Sequence, residues 1–233
     1  RDRDVTGVQT CALPISSRSV PPAHPLAAIA AELSLNLGFT NVTRATIGVD
    51  RPRSERDHLL DDAEYWFNEA LKRDPGNLGV YRGLATAATA ASEPRKARRA
   101  LAEGEELASP SDSRFAFQAG RIYRDMGDTD RAISAWTRAG AYVQLIQWGT
   151  ALVRRSQWKN AMEVNMAAVR IAPSEPTPYR NLTTAMNRDL GVDATLATMI
   201  SLSTASPNTP WAYLEAADLT ARLGRADEAR FLY

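Results

Sequence analysis

The side chains that could perform chemistry are few and poorly placed to act together. The chain has one cysteine, Cys11, and two histidines, His24 and His58, which are too few for a Cys/His zinc site or a Cys/His/Asp catalytic set. Adjacent carboxylates occur at 61–62 and 105–106, but neighbours on a helix point about 100° apart and cannot flank one bond. The sequence has no phosphate-binding glycine loop, nucleophile elbow or HExxH motif. It therefore predicts no catalytic residue, no metal site and no cofactor, and we expect the chain not to be an enzyme.

The charge of the whole chain is nearly balanced. It has 28 lysines and arginines against 27 aspartates and glutamates, for a net charge of +1. Balanced charge argues against binding nucleic acid through bulk attraction. The longest apolar stretch, 26–37, contains Glu32 and is shorter than the roughly 18 to 20 residues that span a bilayer. We therefore expect neither a nucleic-acid partner nor a membrane segment within these 233 residues.

The first residues differ in origin from the rest. The stretch VTGVQTCALPI at 5–15 resembles a translated sequencing adapter, and we interpret 1–16 as a disordered, adapter-derived artefact. Residues 17–25 are then a linker. The folded domain is expected over 26–233, truncated at its C-terminus because the chain stops inside a predicted helix. Without the adapter segment the chain has no cysteine, so cysteine usage indicates no particular cellular compartment.

A repeat of about 34 residues organises the remaining chain. Its unit is an alanine, a bulky residue four positions later and a small residue three further on. The copies are Ala63/Phe67/Ala70, Ala97/Leu101/Gly104, Ala132/Trp136/Ala139, Ala161/Asn165/Ala168 and the incomplete Ala229/Tyr233, with first members 34, 35, 29 and 68 residues apart. Prolines at 75, 110, 173 and 207 close the units in the same register. Such a period is typical of a helical solenoid.

The repeat resembles the tetratricopeptide (TPR) family, in which each unit is a helix, a turn and a second helix. The best copies are AGRIYRDMGDTDRAISAWTRA at 119–139 and DAEYWFNEALKRDP at 62–75, and the resemblance covers about 31–233. Asn165 departs from the family pattern, where a bulky residue is usual, and the third unit is five residues short. The resemblance implies an all-α, TPR-like solenoid of about six helix-turn-helix units in a right-handed superhelix.

The spacing of apolar and small residues places the helices and turns. Gly127, Gly191 and Gly224 lie where a first helix should end. A charged stretch at 47–57, containing VDRPRSERD, is predicted to be a long loop. The predicted helices are 26–44, 59–73, 78–91, 94–108, 113–126, 129–140, 142–155, 158–171, 177–189, 193–204, 210–222 and 225 to the end.

Arginines dominate the groove that the resemblance implies. In this family the first helix of each unit lines the groove, and that mapping gives eight arginines against Asp125 and Asp218. Four of the eight, at 124, 154, 188 and 222, lie in last turns, where the helix dipole favours cations in any case. The remaining four, with two apolar neighbours, are the candidate partner-binding residues: Arg82, Arg114, Arg121, Arg180, Phe117 and Ile146. The five tryptophans are assigned to core packing rather than to a stacking platform.

Two functions are consistent with these observations. The leading hypothesis is a non-catalytic scaffold whose concave groove binds a protein or peptide, and the arginines favour an acidic one. The alternative is the accessory repeat region of a larger bacterial enzyme, such as a membrane polysaccharide ligase or polymerase of the O-antigen type, with its catalytic part upstream. That alternative rests on the arrangement of a small-residue helix, a stretched loop and then repeats, which resembles the tails of such enzymes.

The adapter interpretation makes a prediction about stability. Removing residues 1–16 should leave the thermal midpoint unchanged within about 1 °C, since a segment not selected with this core contributes little to it. A loss of about 4 °C, which corresponds to about 1 kcal/mol in a modest domain, would contradict the interpretation. Differential scanning calorimetry of the full and shortened chains measures the difference.

Overall fold

The described part of the chain is built from helices of 7 to 23 residues. The computed structural model describes residues 25–47, 51–109, 112–205 and 208–232, which form twelve helices and no strand. The predicted adapter segment and nearly all of the predicted linker lie outside these residues. The helices are α1 (Pro25–Ile47), α2 (Arg53–Arg73), α3 (Leu78–Ala90), α4 (Pro94–Leu107), α5 (Ser113–Asp125), α6 (Thr129–Arg138), α7 (Tyr142–Arg154), α8 (Trp158–Ile171), α9 (Pro176–Asp189), α10 (Val192–Ala205), α11 (Trp211–Arg222) and α12 (Ala226–Leu232).

The helices associate as six consecutive pairs. The odd-numbered first helices pack on the even-numbered second helices that follow them. First helices of successive units also contact one another, as α1 does with α3, α3 with α5, α7 with α9 and α9 with α11. One core cluster extends from α3 to α9 without interruption. The prediction of an all-α solenoid of helix-turn-helix units is confirmed for the described residues.

Fewer residues separate α1 and α2 than the sequence predicted. The sequence predicted a loop over 47–57 and a helix from 59, but α1 continues to Ile47 and α2 begins at Arg53. Ion pairs one helical turn apart join Arg51 to Glu55 and Arg53 to Asp57, and such pairs stabilise a helix. The charged stretch was therefore wrongly assigned to a loop, because its charges alternate in the spacing that supports a helix end.

Five of the turns inside the units share one backbone feature. Two residues after the end of α5, α9 and α11, the glycines Gly127, Gly191 and Gly224 have φ values of +76°, +87° and +75°. Serines occupy the same place after α3 and α7, with φ of +62° at Ser92 and +57° at Ser156. A positive φ is favourable for glycine and costly for other residues. The helix ends predicted at the three glycines are confirmed, and the two serine turns carry no sequence signal of this kind.

Glycines on first helices make room for large residues of second helices. Phe67 of α2 is fully buried, and a methyl group added at Gly38 or Gly83 would overlap its ring. Trp136 of α6 lies against Gly120 of α5 in the same way and is 1% exposed. Its indole Nε1 donates a hydrogen bond of 3.1 Å to the carbonyl of Phe117. The helix pairs are therefore held at close distance by a small residue facing a large one.

Gly120→Ala should destabilise the fold by about 1 to 3 kcal/mol, the usual cost of overpacking a core. The new methyl group would overlap the indole of Trp136, which has no room to move away. Gly76→Ala is the matched control, because the nearest atom to its Cβ is 3.9 Å away. Urea unfolding followed by circular dichroism gives both free energies, and equal stabilities for the two variants would contradict the packing argument.

Candidate partner-binding surface

A layer of first helices carries a cluster of arginines and aromatic rings. Arg82 of α3 lies over the ring of Phe39 of α1, with Cζ 4.8 Å from the ring centroid. Arg121 and Arg124 of α5 lie over Trp148 of α7, at 5.3 Å and 4.5 Å. Contacts of this kind attract a cation to the face of the ring. We call this set the first-helix surface: Phe39, Arg82, Arg114, Arg121, Arg124 and Trp148.

Arg82 is enclosed by two neighbouring first helices. It is half-buried and borders a cavity of about 240 Å³ between the first turns of α3 and α5, together with Arg114 and Gln118. Burial lowers the pKa of Arg82, and the positive charges of Arg114 and Arg121 lower it further. Arg82 and Arg114 line the same cavity, so these two side chains share one part of the surface.

Within the part of the chain that the structure describes, no carboxylate forms an ion pair with Arg82, Arg114 or Arg121. Asp112 borders the same cavity, but its Oδ1 accepts a hydrogen bond of 2.9 Å from the amide of Phe115 and caps α5. Asp125 of α5 pairs with Arg124 at 2.5 Å, so among the described residues the arginines of this surface without an ion pair are Arg82, Arg114 and Arg121.

Arg180 differs from the other three predicted arginines. It pairs with Glu215 of α11 at 3.7 Å and is 73% exposed. Burial raises the pKa of Glu215, and the positive charge of Arg180 opposes that rise. Arg180 therefore helps to neutralise a half-buried carboxylate of its own chain, and its place among the partner-binding residues stays a prediction.

The two apolar candidates lie at the edge of the core. Phe117 and Ile146 are half-buried and pack against the main core cluster. Ile146 is on α7, the helix that also carries Trp148. Each therefore has part of its side chain available on the first helices and the rest committed to packing.

Sequence reasoning missed the aromatic partners of the arginines. Phe39 was not selected, and Trp148 was assigned to the core. Trp148 does contact the core, since its ring meets that of Trp136 edge-on at 6.2 Å, but it is half-buried and supports two guanidinium groups. Each stacked pair joins two helices that are far apart in sequence, so residue spacing alone gave no signal.

Other functional groups do not converge in the described ranges. Outside the gaps at 48–50, 110–111 and 206–207, residues 25–232 contain no group of three or more histidine, cysteine, aspartate or glutamate side chains arranged for a metal ion. Glu105 pairs with Arg138 at 2.7 Å, whereas its neighbour Glu106 is exposed. Among the helices that the structure describes, none combines the length and the apolar character needed to cross a membrane.

Comparison with solved structures shows that the chain is similar to other helical proteins. No family model matches the chain, and no curated protein matches it significantly. The chain is similar to the TPR2AB domain of yeast Sti1 in its pHSP90 complex, with 16% identity, 87% coverage of each chain and a TM-score of 0.36. It is also similar to PilF of Pseudomonas aeruginosa, with 12% identity, coverage of 88% of this chain and 90% of that one, and a TM-score of 0.43. A third similar structure is PilW, a type IV pilus biogenesis factor, with 14% identity, coverage of 90% and 91%, and a TM-score of 0.42.

The pairing of Arg180 with Glu215 predicts a measurable change in acidity. Arg180→Gln should raise the pKa of Glu215 further, because it removes the positive charge that favours the carboxylate. A carboxyl whose pKa is raised on folding stabilises the fold at low pH, and this contribution is lost as the pH rises through the folded-state pKa. Carboxyl-detected NMR titration measures the shift. Arg188→Gln on the same helix is the control, and an unchanged Glu215 in the Arg180 variant would contradict the pairing.

Proposed function

We propose that this chain is a non-catalytic interaction scaffold that binds an acidic segment of a partner protein on the first-helix surface. The observation that carries the proposal is the cluster of Arg82, Arg114 and Arg121, which lies on adjacent first helices without a carboxylate in ion-pair contact among the described residues. Clustered like charges raise the local potential and attract an oppositely charged ligand. A partner with several carboxylates would relieve the repulsion among these arginines.

The spacing of the helices suits an extended peptide. Packed helix axes lie about 8 to 10 Å apart, and an extended chain advances about 3.3 Å per residue. Carboxylates about three residues apart in the peptide would therefore reach arginines on successive first helices, α3 and α5. The stacked arginines over Phe39 and Trp148 are already partly ordered, so less side-chain entropy is lost when they bind.

Ion pairs alone would not give useful affinity. One exposed ion pair contributes about 0.2 to 1 kcal/mol, whereas micromolar binding requires about 8 kcal/mol. The exposed parts of Phe117, Ile146 and Trp148 must supply apolar contact between the charges. The expected ligand is therefore an acidic segment that also carries apolar side chains, rather than a run of acidic residues.

The test compares two triple variants of equal charge. The probe is a fluorescein-labelled peptide of about twelve residues with glutamate at every third position and leucine between, and its binding is followed by fluorescence anisotropy. Replacing Arg82, Arg114 and Arg121 by glutamine should weaken binding at least about tenfold. Replacing Arg154, Arg188 and Arg222 by glutamine changes the net charge equally and should change binding less than about twofold.

Salt provides a second measurement on the same complex. Raising the salt concentration from 0.1 M to 1 M shortens the Debye length from about 10 Å to about 3 Å, and the affinity for the acidic probe should fall accordingly. A peptide with glutamine in place of glutamate should bind weakly at every salt concentration. Equal losses in the two triple variants, or salt-independent binding, would overturn the proposal.

A further inference from the structure

A groove opens on the other side of the solenoid, between the second helices of the first two units. Its walls are α2 and α4 and its floor is α3, and it encloses about 550 Å³. That volume is within the range of about 300 to 1,000 Å³ typical of ligand sites. Apolar atoms reach the groove from Leu60, Leu71, Leu84, Ala87, Ala88 and Ala100. We call it the second-helix groove.

Helix α3 separates this groove from the first-helix surface. With about 100° between successive residues, Leu84, Ala87 and Ala88 point roughly opposite to Arg82. Arg82 accordingly lies over Phe39 of α1 and beside the first turn of α5, whereas the alanines and Leu84 face α2 and α4. The small size of the alanines leaves the space between α2 and α4 unfilled, so the two surfaces are distinct.

Carboxylates outnumber cations around the second-helix groove. The acidic lining residues are Asp57, Asp61, Glu64, Glu93 and Glu103, and the basic ones are Arg53, Lys96 and Arg99. Lys96 is shared between Glu64 at 3.3 Å and Glu93 at 3.0 Å, and Arg99 pairs with Glu103 at 2.8 Å. The carboxylate of Asp61 is exposed and has no ion-pair partner in the described part of the chain. Five carboxylates against three cations leave an excess of two negative charges.

We propose that the second-helix groove binds a cationic amphipathic helix of a partner protein. An apolar floor between acidic walls is complementary to a helix that presents leucine or methionine at every third or fourth position and lysine or arginine on its flanks. The wall formed by α2 has 21 residues and is about 30 Å long, enough to follow several turns of such a helix. Complementary charge also speeds association and selects against acidic partners.

This inference goes beyond the acidic-partner site and does not depend on it. The two sites use opposite sides of α3 and ligands of opposite charge. A chain with both would hold an acidic segment on one side and a basic helix on the other, and would bring two partners together. Failure at one site therefore leaves the other unaffected.

The experiment uses a fluorescein-labelled, amidated peptide of about fourteen residues in which leucine and lysine follow helical spacing. Asp61→Asn with Glu103→Gln removes one carboxylate from each wall and should weaken binding about five- to tenfold at 0.1 M salt. Asp62→Asn with Glu106→Gln changes neighbouring carboxylates of the same helices that do not line the groove, and binding should stay within about twofold of the unmodified chain.

A further variant and a mapping measurement test the location. Asn68→Arg adds a positive charge to the exposed wall of α2. It should weaken binding of the cationic peptide at least as much as Asp61→Asn with Glu103→Gln does. Binding of the peptide should shift the methyl NMR signals of Leu84 and Ala88. Replacing Arg82, Arg114 and Arg121 by glutamine should leave the affinity for this peptide within about twofold of that of the unmodified chain. Equal weakening by both carboxylate pairs, no weakening by Asn68→Arg, or shifts confined to other helices would overturn the proposal.

Discussion

The fold depends on one kind of contact, in which a small residue on a first helix lies against a large residue on a second helix. Phe67 occupies space left by Gly38 and Gly83, and Trp136 occupies space left by Gly120. Since protein interiors are packed as densely as organic crystals, neither partner can be changed without moving a helix. The contacts at Gly38 and Gly120 join the two helices of one unit, whereas the contact between Phe67 and Gly83 joins α2 to the first helix of the next unit. The same kind of contact therefore forms the units and stacks them.

The same constraint explains how the chain tolerates a polar residue at one of these positions. Asn165 lies against Gly149 and is fully buried. Its Nδ2 donates to the carbonyl of Ala161 at 2.7 Å, and its Oδ1 accepts from Asn181 Nδ2 at 3.2 Å. Asn181 also donates to Thr150 at 2.9 Å. Buried polar groups are stable when they are satisfied, so this network replaces a hydrophobic contact among α7, α8 and α9 without breaking the pattern of small facing large.

Local periodicity was sufficient to predict the units but not the contacts between them. The spacing of Ala132, Trp136 and Ala139 predicts a helix and its buried face, because both depend on residues within a few turns. The start of α2 was missed because RSERD has no apolar residue to mark a helix, while its ion pairs act along the helix itself. The stacking of Arg82 on Phe39 and the pairing of Arg180 with Glu215 join residues 43 and 35 positions apart. Such contacts follow from how the units stack, which the spacing within one unit does not specify.

Nearly balanced charge in the whole chain conceals its separation across one helix. Arg82 of α3 borders a cavity with Arg114, whereas the opposite side of the helix faces a groove whose walls are rich in carboxylates. The two sets of charge do not neutralise each other, because α3 and its packed neighbours lie between them and each set is in contact with water on its own side. This separation is possible because the solenoid is only two helices thick. One side of α3 contacts neighbouring first helices, and its other side contacts second helices. Charge on such a fold must therefore be counted by face. On that count the described chain has a basic surface on the first helices α3 and α5 and an acidic groove between the second helices α2 and α4.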